Sequence, residues 1–247
     1  MPKYAFFEGK FVPIEQAKVS IMTHAFNYGT GVFAGIRAYW NAEEEELYVL
    51  RMREHYERLL RSCRIMMIAL SYSVDELMHI TLELLRMEGY REDTYIRPLA
   101  YKSSPLIGVR LHNLEESFAL FATPFQRYIE NEEAASAGVS SWRRVPDTAV
   151  PARGKIIGSY VNSALIKTEA ALNGFDEAIV LTQDGHVSEG SAENLFIVRQ
   201  GKLVTSPISE DILEGITRAS IMELSSGART RVTCTGLPRC TLGPPPS

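Results

Sequence analysis

Three strings decide the fold of this chain: GKIIGSYVNSALIKTEA at residues 154–170, DEAIVL at 176–181 and HVSEGSAENLFIV at 186–198. The first string places Lys155 among small residues, with Tyr160 five positions later, and then continues as a predicted helix. The other two strings predict strands on either side of a turn at Asp184 and Gly185. Glu189 lies on the second of these strands, after the intervening helix.

Lys155 and Glu189 together indicate the chemistry of pyridoxal phosphate. A lysine amine that can lose its proton forms an imine, and an acid keeps the cofactor's pyridine nitrogen protonated as an electron sink. With blocks upstream, the strings resemble the class IV (fold-type IV) aminotransferases, most closely the branched-chain amino-acid aminotransferases, over residues 4–221. The resemblance implies that Lys155 is the Schiff-base lysine, that Tyr160 bonds the cofactor's phenolic oxygen, and that Glu189 holds the pyridine nitrogen.

Each of these residues also has an ordinary interpretation when it is taken alone. A single lysine is usually a solvated surface group, and residues 188–194 could form a polar turn. Context separates Lys155 from most of the chain's other six lysines. Lys10 and Lys202 follow glycine in predicted turns, while Lys167 lies within a helix near Glu169 and is typical of a solvated face.

Composition excludes several classes of function. With 247 residues and a net charge of −4, the chain has no basic run interleaved with aromatic residues, so a nucleic-acid surface is not indicated. No stretch of 18 apolar residues and no signal-peptide pattern occurs, which predicts a cytoplasmic protein without a membrane segment. The three cysteines show no metal-ligand spacing, so no metal is expected, and Cys63 is predicted to lie in the core.

The pattern of apolar residues and turn signals predicts a mixture of helices and strands. A hairpin is expected at residues 4–13, a helix at 52–67 with an arginine-rich outer face, and a second helix that begins with the Ser73/Glu76 capping box and ends at Gly89. Strands are predicted at 95–100, 118–122, 138–143 and 177–181, a helix ending at 173–174, and a hairpin turning at Gly201.

The predicted domains follow from a lapse of the apolar pattern. We expect a smaller N-terminal domain at residues 1–125, a connector at 126–137, a larger cofactor-binding domain at 138–224 and an atypical tail at 225–247. The resemblance implies that the fold class is α+β, with two domains of the D-amino-acid-aminotransferase-like type.

A candidate phosphate site follows Leu213. Helix N-termini near glycine bind anions, because unpaired backbone N–H groups converge there and the helix dipole favours negative charge. In the family that this chain resembles, the backbone of Gly215, Ile216 and Thr217 and the threonine hydroxyl bind the cofactor's phosphate. Arg53 matches the arginine that completes this clamp. As alternatives, Thr217 could be only a helix cap and Arg53 one of many surface arginines.

Two further strings are similar to substrate contacts of the family. THAFNYGTGVFAGIRAY supplies Tyr28, Phe33 and Arg37 for the pocket wall and entrance, although Ala34 stands where branched-chain enzymes commonly have glutamate. In TYIRPL, Tyr95 and Arg97 alternate with an apolar residue and so share one face of a strand. A hydroxyl and a guanidinium there suit a carboxylate such as that of 2-oxoglutarate. A half-buried tyrosine with a surface ion pair is the ordinary alternative.

The resemblance implies transamination between a branched-chain or similar apolar L-amino acid and 2-oxoglutarate. Other fold-type IV activities stay open as alternatives: a D-amino-acid aminotransferase, an (R)-amine aminotransferase or an aminodeoxychorismate lyase. Residues 102–109 are expected to form a loop, and in the family this loop closes over the active site of a neighbouring subunit, which implies a homodimer.

The last 23 residues, SSGARTRVTCTGLPRCTLGPPPS, depart from the family. Their apolar periodicity is lost, and a later turn that gives the family a second phosphate contact is not found. We expect a tail that lacks the apolar content to fold alone. A non-catalytic fragment is therefore a further alternative.

Overall fold

The computed structural model describes residues 1–125, 134–227, 232–234 and 237–238, which form two compact units. One unit contains Met1–Tyr128 together with Gly154–Gly158, and the other contains Ile129–Arg153 and Ser159–Ser247. The predicted connector falls partly on residues 126–133, which lie outside the described part of the chain, so its bounds stay a prediction.

The first unit is built on a seven-stranded antiparallel sheet in the order β2-β1-β7-β6-β4-β5, with β3 paired to β6. Its elements are β1 (Tyr4–Phe7), β2 (Lys10–Pro13), α1 (His24–Tyr28), β3 (Gly31–Phe33), β4 (Ile36–Asn41), β5 (Glu46–Val49), α2 (Met52–Ile65), α3 (Val74–Glu88), β6 (Thr94–Lys102) and β7 (Glu116–Pro124).

Local sequence explains the limits of α3. The Ser73 side chain accepts a hydrogen bond from the Glu76 N–H, and the Glu76 carboxylate accepts one from the Ser73 N–H, so the predicted capping box is confirmed. Gly89 ends the helix with φ of 65°, a left-handed conformation that glycine adopts without steric cost. On α2, Cys63 is 2% exposed, which confirms its predicted place in the core.

The predicted loop at residues 102–109 needs one correction, because Lys102 belongs to β6. Its ammonium Nζ lies 2.7 Å from Glu116 Oε1, the residue directly opposite on β7, and donates to the Met67 carbonyl at 2.5 Å. Lys102 is 1% exposed. The pairing with Glu116 offsets the cost of burying the charge, and the strand continues by one residue pair.

The second unit holds two smaller sheets. Its elements are β8 (Ala137–Arg143), α4 (Tyr160–Leu172), β9 (Glu177–Leu181), β10 (His186–Gly190), β11 (Phe196–Arg199), β12 (Lys202–Thr205), α5 (Ile216–Gly227), β13 (Val232–Cys234) and β14 (Leu237–Pro238). The strand orders are β14-β10-β9-β8 and β11-β12-β13. Strands β8 and β9 are parallel, as expected when a helix connects them. Ile166 and Ala170 of α4 pack on Ala178 and Val180 of β9.

The predicted tail is only partly described. Within it, β13 pairs with β12 and β14 with β10 through the backbone, and the rest of residues 228–247 lies outside the described part. Short 3-10 helices occur at Ile14–Gln16, Ile157–Ser159 and Ile208–Glu210. None of the helices in the described ranges is long and apolar enough to cross a membrane.

Candidate active site

Lys155 is held by its backbone within the first unit. The Phe33 N–H of β3 donates to the Lys155 carbonyl at 3.0 Å, and Val32 forms a bridge with Ile156. The Lys155 N–H donates to Ser62 Oγ on α2 at 3.1 Å. Residues Gly154–Gly158 therefore act as an extra extended segment beside β3, although no sequence signal indicated that they belong with this unit.

The side chain of Lys155 lies against an aromatic ring. Its Nζ is 5.0 Å from the centroid of the Phe33 ring, and Phe33 is 6% exposed. Two other lysines differ, since Lys102 is ion-paired with Glu116 and Lys167 Nζ lies 2.6 Å from Glu177 Oε2. A carboxylate partner favours the charged amine, so Lys102 and Lys167 are poor candidates for imine formation.

Helix α2 turns a polar stripe inward. His55, Arg58 and Ser62 follow the spacing i, i+3, i+7 and are all buried, with Arg58 only 5% exposed. Burial, together with the positive charges of Arg58 and Lys155, lowers the pKa of the His55 imidazole to about 3. His55 is therefore neutral at pH 7, and among the described residues its Nδ1 atom has no hydrogen-bond partner.

Arg53, the arginine that the sequence singled out, is placed differently. Its side chain is 51% exposed, and its Nη2 lies 2.5 Å from Asp75 Oδ1. Sequence reasoning missed Arg58, which it assigned to the solvated arginine-rich face of the helix. The signal that could have found Arg58 is its spacing from His55 and Ser62.

Tyr95 and Arg97 lie on one face of β6, as predicted. Arg97 Nη2 donates to Tyr95 Oη at 2.7 Å, and the Arg97 guanidinium carbon is 4.4 Å from the centroid of the Phe33 ring. Tyr95 Oη lies so close to Gly35 that a Cβ there would be 2.3 Å away, so Gly35 leaves room for the hydroxyl. The structure thus brings Phe33, Tyr95, Arg97 and Lys155 together.

Tyr28 and Arg37 have described contacts with other residues. The Tyr28 hydroxyl accepts a hydrogen bond from the Gly108 N–H at 3.2 Å, and His24 Nε2 lies 2.8 Å from the Gly108 carbonyl oxygen. Arg37 stacks on Phe125, 5.3 Å from its ring centroid, and lies 3.8 Å from Asp93. Tyr28 therefore anchors the 103–113 loop.

Glu189 is the best-anchored acid of the second unit. It is 2% exposed, and its Oε1 lies 2.5 Å from Arg144 Nη2. Its Oε2 accepts hydrogen bonds from Asn194 Nδ2 at 2.9 Å and from the Leu213 N–H at 3.1 Å. Sequence reasoning named neither Arg144 nor Asn194. Donors on both oxygens favour the ionised carboxylate.

The predicted phosphate residues lie at the start of α5, whose first residue is Ile216. The first helical hydrogen bond runs from the Ala219 N–H to the Gly215 carbonyl at 3.0 Å. Amides of a first helical turn precede such bonds and have no intrahelical acceptor, so those of Ile216 and Thr217 suit an anion. Tyr160 is the first residue of α4 and is partly exposed.

Comparison with known proteins places these features in a family. A model of the amino-transferase class IV family matches residues 31–234, further along the chain than position 221, where the resemblance was expected to stop. A probable branched-chain-amino-acid aminotransferase of Aquifex aeolicus (strain VF5) is 52% identical over 221 residues, which are 90% of this chain and 71% of that protein.

Solved structures agree with this match. A branched-chain aminotransferase from Thermoproteus uzoniensis with norvaline has a TM-score of 0.92 and 43% identity, covering 96% of this chain and 78% of that one. A branched-chain amino acid aminotransferase from T.th., complexed with N-(5'-phosphopyridoxyl)-L-glutamate, has a TM-score of 0.91 and 36% identity, covering 98% and 79%.

The chain belongs to the class IV aminotransferases. Its fold is accordingly the α+β fold of fold-type IV, its reaction is transamination, and its cofactor is pyridoxal 5'-phosphate. The donor set fits that cofactor. The first unit offers an amine, a buried guanidinium and an imidazole nitrogen that has no partner among the described residues, and the second offers a buried carboxylate and a helix N-terminus.

Proposed function

We propose that this chain transfers amino groups between a branched-chain or similar apolar L-amino acid and 2-oxoglutarate. The observation that carries the proposal is the Phe33 ring, which lies between the Lys155 amine and the Arg97 guanidinium. An apolar surface flanked by an amine and a carboxylate-binding cation suits both substrates. The relatives' names support it, as do norvaline and a glutamate adduct in two of the similar structures.

Each cofactor-binding residue has a proposed role. Lys155 holds the cofactor covalently through Nζ, Tyr160 bonds the phenolic oxygen, and Glu189 bonds the pyridine nitrogen. The backbone of Gly215, Ile216 and Thr217 and the Thr217 hydroxyl bind the phosphate. When bound, the cofactor supplies an aldehyde that captures amino groups and a protonated ring that withdraws electrons from the substrate's α-carbon.

Proton transfer falls to Lys155. Once the substrate amine has displaced it from the cofactor, the free amine can take the proton from the substrate's α-carbon as a general base and return it as a general acid. The Phe33 ring and the backbone hydrogen bonds to Phe33 and Ser62 limit where Nζ can move. Glu189 contributes by remaining anionic beside the pyridine nitrogen.

We propose Arg58, in place of Arg53, as the arginine that binds the phosphate. Arg58 is buried and lies near Lys155, since both charges act on His55, whereas Arg53 is half exposed and paired with Asp75. A buried guanidinium is desolvated before it meets an anion, so its interaction with phosphate is stronger than that of a surface arginine.

Two matched variants test this assignment. Arg58→Ala should weaken pyridoxal 5'-phosphate binding by about tenfold to a hundredfold, because a hydrogen bond to a charged group is worth about 1.5–3 kcal/mol. Arg53→Ala, an arginine-to-alanine change on the same helix, should alter the Kd less than about threefold. Equilibrium titration followed by cofactor absorbance measures both. A larger loss for Arg53→Ala would restore the original assignment.

Substrate choice is tested with a panel of amino donors and acceptors. Branched-chain L-amino acids should give more 2-oxo acid product than D-amino acids or (R)-amines, and the lyase substrate should give none. With Arg97→Met, the KM for 2-oxoglutarate should rise by about tenfold or more, and that for an apolar 2-oxo acid much less, because only the dicarboxylate has a second anionic group. Equal effects on both acceptors would make Arg97 structural.

We also propose a homodimer and a cytoplasmic location. The loop tip is fixed at Gly108, yet Ile107 is 69% exposed and Val109 is 90% exposed, as is 69% of Phe26 on α1. Apolar side chains held on an ordered surface suit contact with a second copy of the chain. A monomeric mass at micromolar concentration by sedimentation would exclude the dimer, and cell fractionation tests the location.

A further inference from the structure

One side chain in the second unit links the acid Glu189 to the turn before α5. Asn194 Nδ2 donates to Glu189 Oε2 at 2.9 Å and also to the Leu213 carbonyl at 2.9 Å. The Leu213 N–H donates to the same Glu189 oxygen at 3.1 Å. Both polar groups of the Leu213 backbone are therefore fixed relative to the carboxylate.

The other end of the Asn194 amide lies against Gly215. A Cβ built on Gly215 would meet Asn194 Oδ1 at 2.2 Å, well inside the distance that two such atoms tolerate. Its φ is not among the positive values of the chain, so the glycine is needed here for space and not for an unusual backbone conformation. Asn194 thus contacts Glu189, Leu213 and Gly215 at once.

This contact matters because a pyridine ring and its phosphate are joined through a short, stiff framework. If Glu189 holds the ring nitrogen and the Gly215-Ile216-Thr217 turn holds the phosphate, the separation of the two must match the ligand. Binding constellations tolerate errors of only about 0.5 Å, and a displacement of about 1 Å can cost about a hundredfold.

We propose that Asn194 is a positioning residue that sets the separation between the acid Glu189 and the phosphate-binding turn. The inference rests on the proposed roles of these residues. Gly215 is its partner, because only a residue without a side chain leaves the Asn194 amide in place. Arg144 holds the other Glu189 oxygen, so the carboxylate cannot rotate to compensate for a shift of the turn.

The test compares three ligands on the whole chain: pyridoxal 5'-phosphate, pyridoxal without phosphate, and inorganic phosphate as a competitor. With Asn194→Ala, the Kd for pyridoxal 5'-phosphate should rise by at least about tenfold. The Kd values for pyridoxal and for phosphate should each change less than about threefold, because each fragment needs only its own contacts and not their spacing. Thr205→Val is the control, since it removes another buried hydrogen bond, from Thr205 Oγ1 to the Leu195 carbonyl.

Gly215→Ala keeps Asn194 and tests the same spacing if Asn194→Ala fails to fold. It should weaken pyridoxal 5'-phosphate by a similar factor, and in the Asn194→Ala background it should add less than about threefold, because the clash has lost its partner. Equal losses for pyridoxal and its phosphate, or additive effects of the two variants, would overturn the inference. If the unmodified chain does not bind the cofactor at Lys155, the proposed function itself fails instead.

Discussion

Replacing Lys155 with alanine is expected to reduce transamination by at least about a thousandfold. The variant loses both the covalent attachment of the cofactor and the general base, and proton transfer alone contributes about a hundredfold to ten-thousandfold in typical enzymes. Some cofactor should still bind, because Arg58 and the turn before α5 are untouched. Initial rates with a branched-chain donor and 2-oxoglutarate give the measurement.

Lys167→Ala is the matched control for Lys155. Lys167 carries the same side chain but is paired with Glu177 and donates to the Asp176 carbonyl. Its loss should leave turnover within about twofold. If the Lys155→Ala variant kept more than a tenth of the activity, another group would have to be the base.

Glu189→Gln is expected to lower turnover by about tenfold to a hundredfold. The amide cannot hold a pyridinium through an ionic hydrogen bond, and such a bond is worth about 1.5–3 kcal/mol. The structure adds a second effect, because the change leaves the Arg144 guanidinium without its carboxylate at 2.5 Å. Removing one partner of a buried ion pair typically costs about 3–5 kcal/mol of stability.

A double variant separates the two effects of Glu189→Gln. Arg144→Met with Glu189→Gln removes the uncompensated charge, so most of the lost stability should return, as measured by urea unfolding. Turnover should stay low, because the pyridine nitrogen still lacks its acid. Recovery of turnover together with stability would mean that Glu189 acts only through the fold.

Elements with strong local signals were predicted well from sequence. The capping box located Val74–Glu88, alternating apolar residues located Glu177–Leu181, and the Gly-Ile-Thr string located the start of α5 at Ile216. Each of these signals lies within a few residues of the element that it defines. Tyr95 and Arg97 were placed on one face for the same reason, since the period of a strand fixes alternate side chains.

The errors arose where tertiary contacts decide. Arg53 and Arg58 are equally polar in sequence, and only the packing of α2 in the first unit buries Arg58 and leaves Arg53 exposed. Lys102 was expected in a loop, but its ion pair with Glu116 depends on a strand 14 residues further along the chain. Asn194 resembles an ordinary turn residue until Glu189, Leu213 and Gly215 surround it.

Borohydride reduction tests the central assignment most directly, because it makes the linkage between the cofactor and its lysine permanent. The reduced chain is digested with trypsin and the labelled peptide is identified by mass spectrometry. We expect the label on residues 154–167, with cleavage blocked at Lys155. A label on Lys102 or Lys167, or no lysine label after loading with pyridoxal 5'-phosphate, would contradict the assignment.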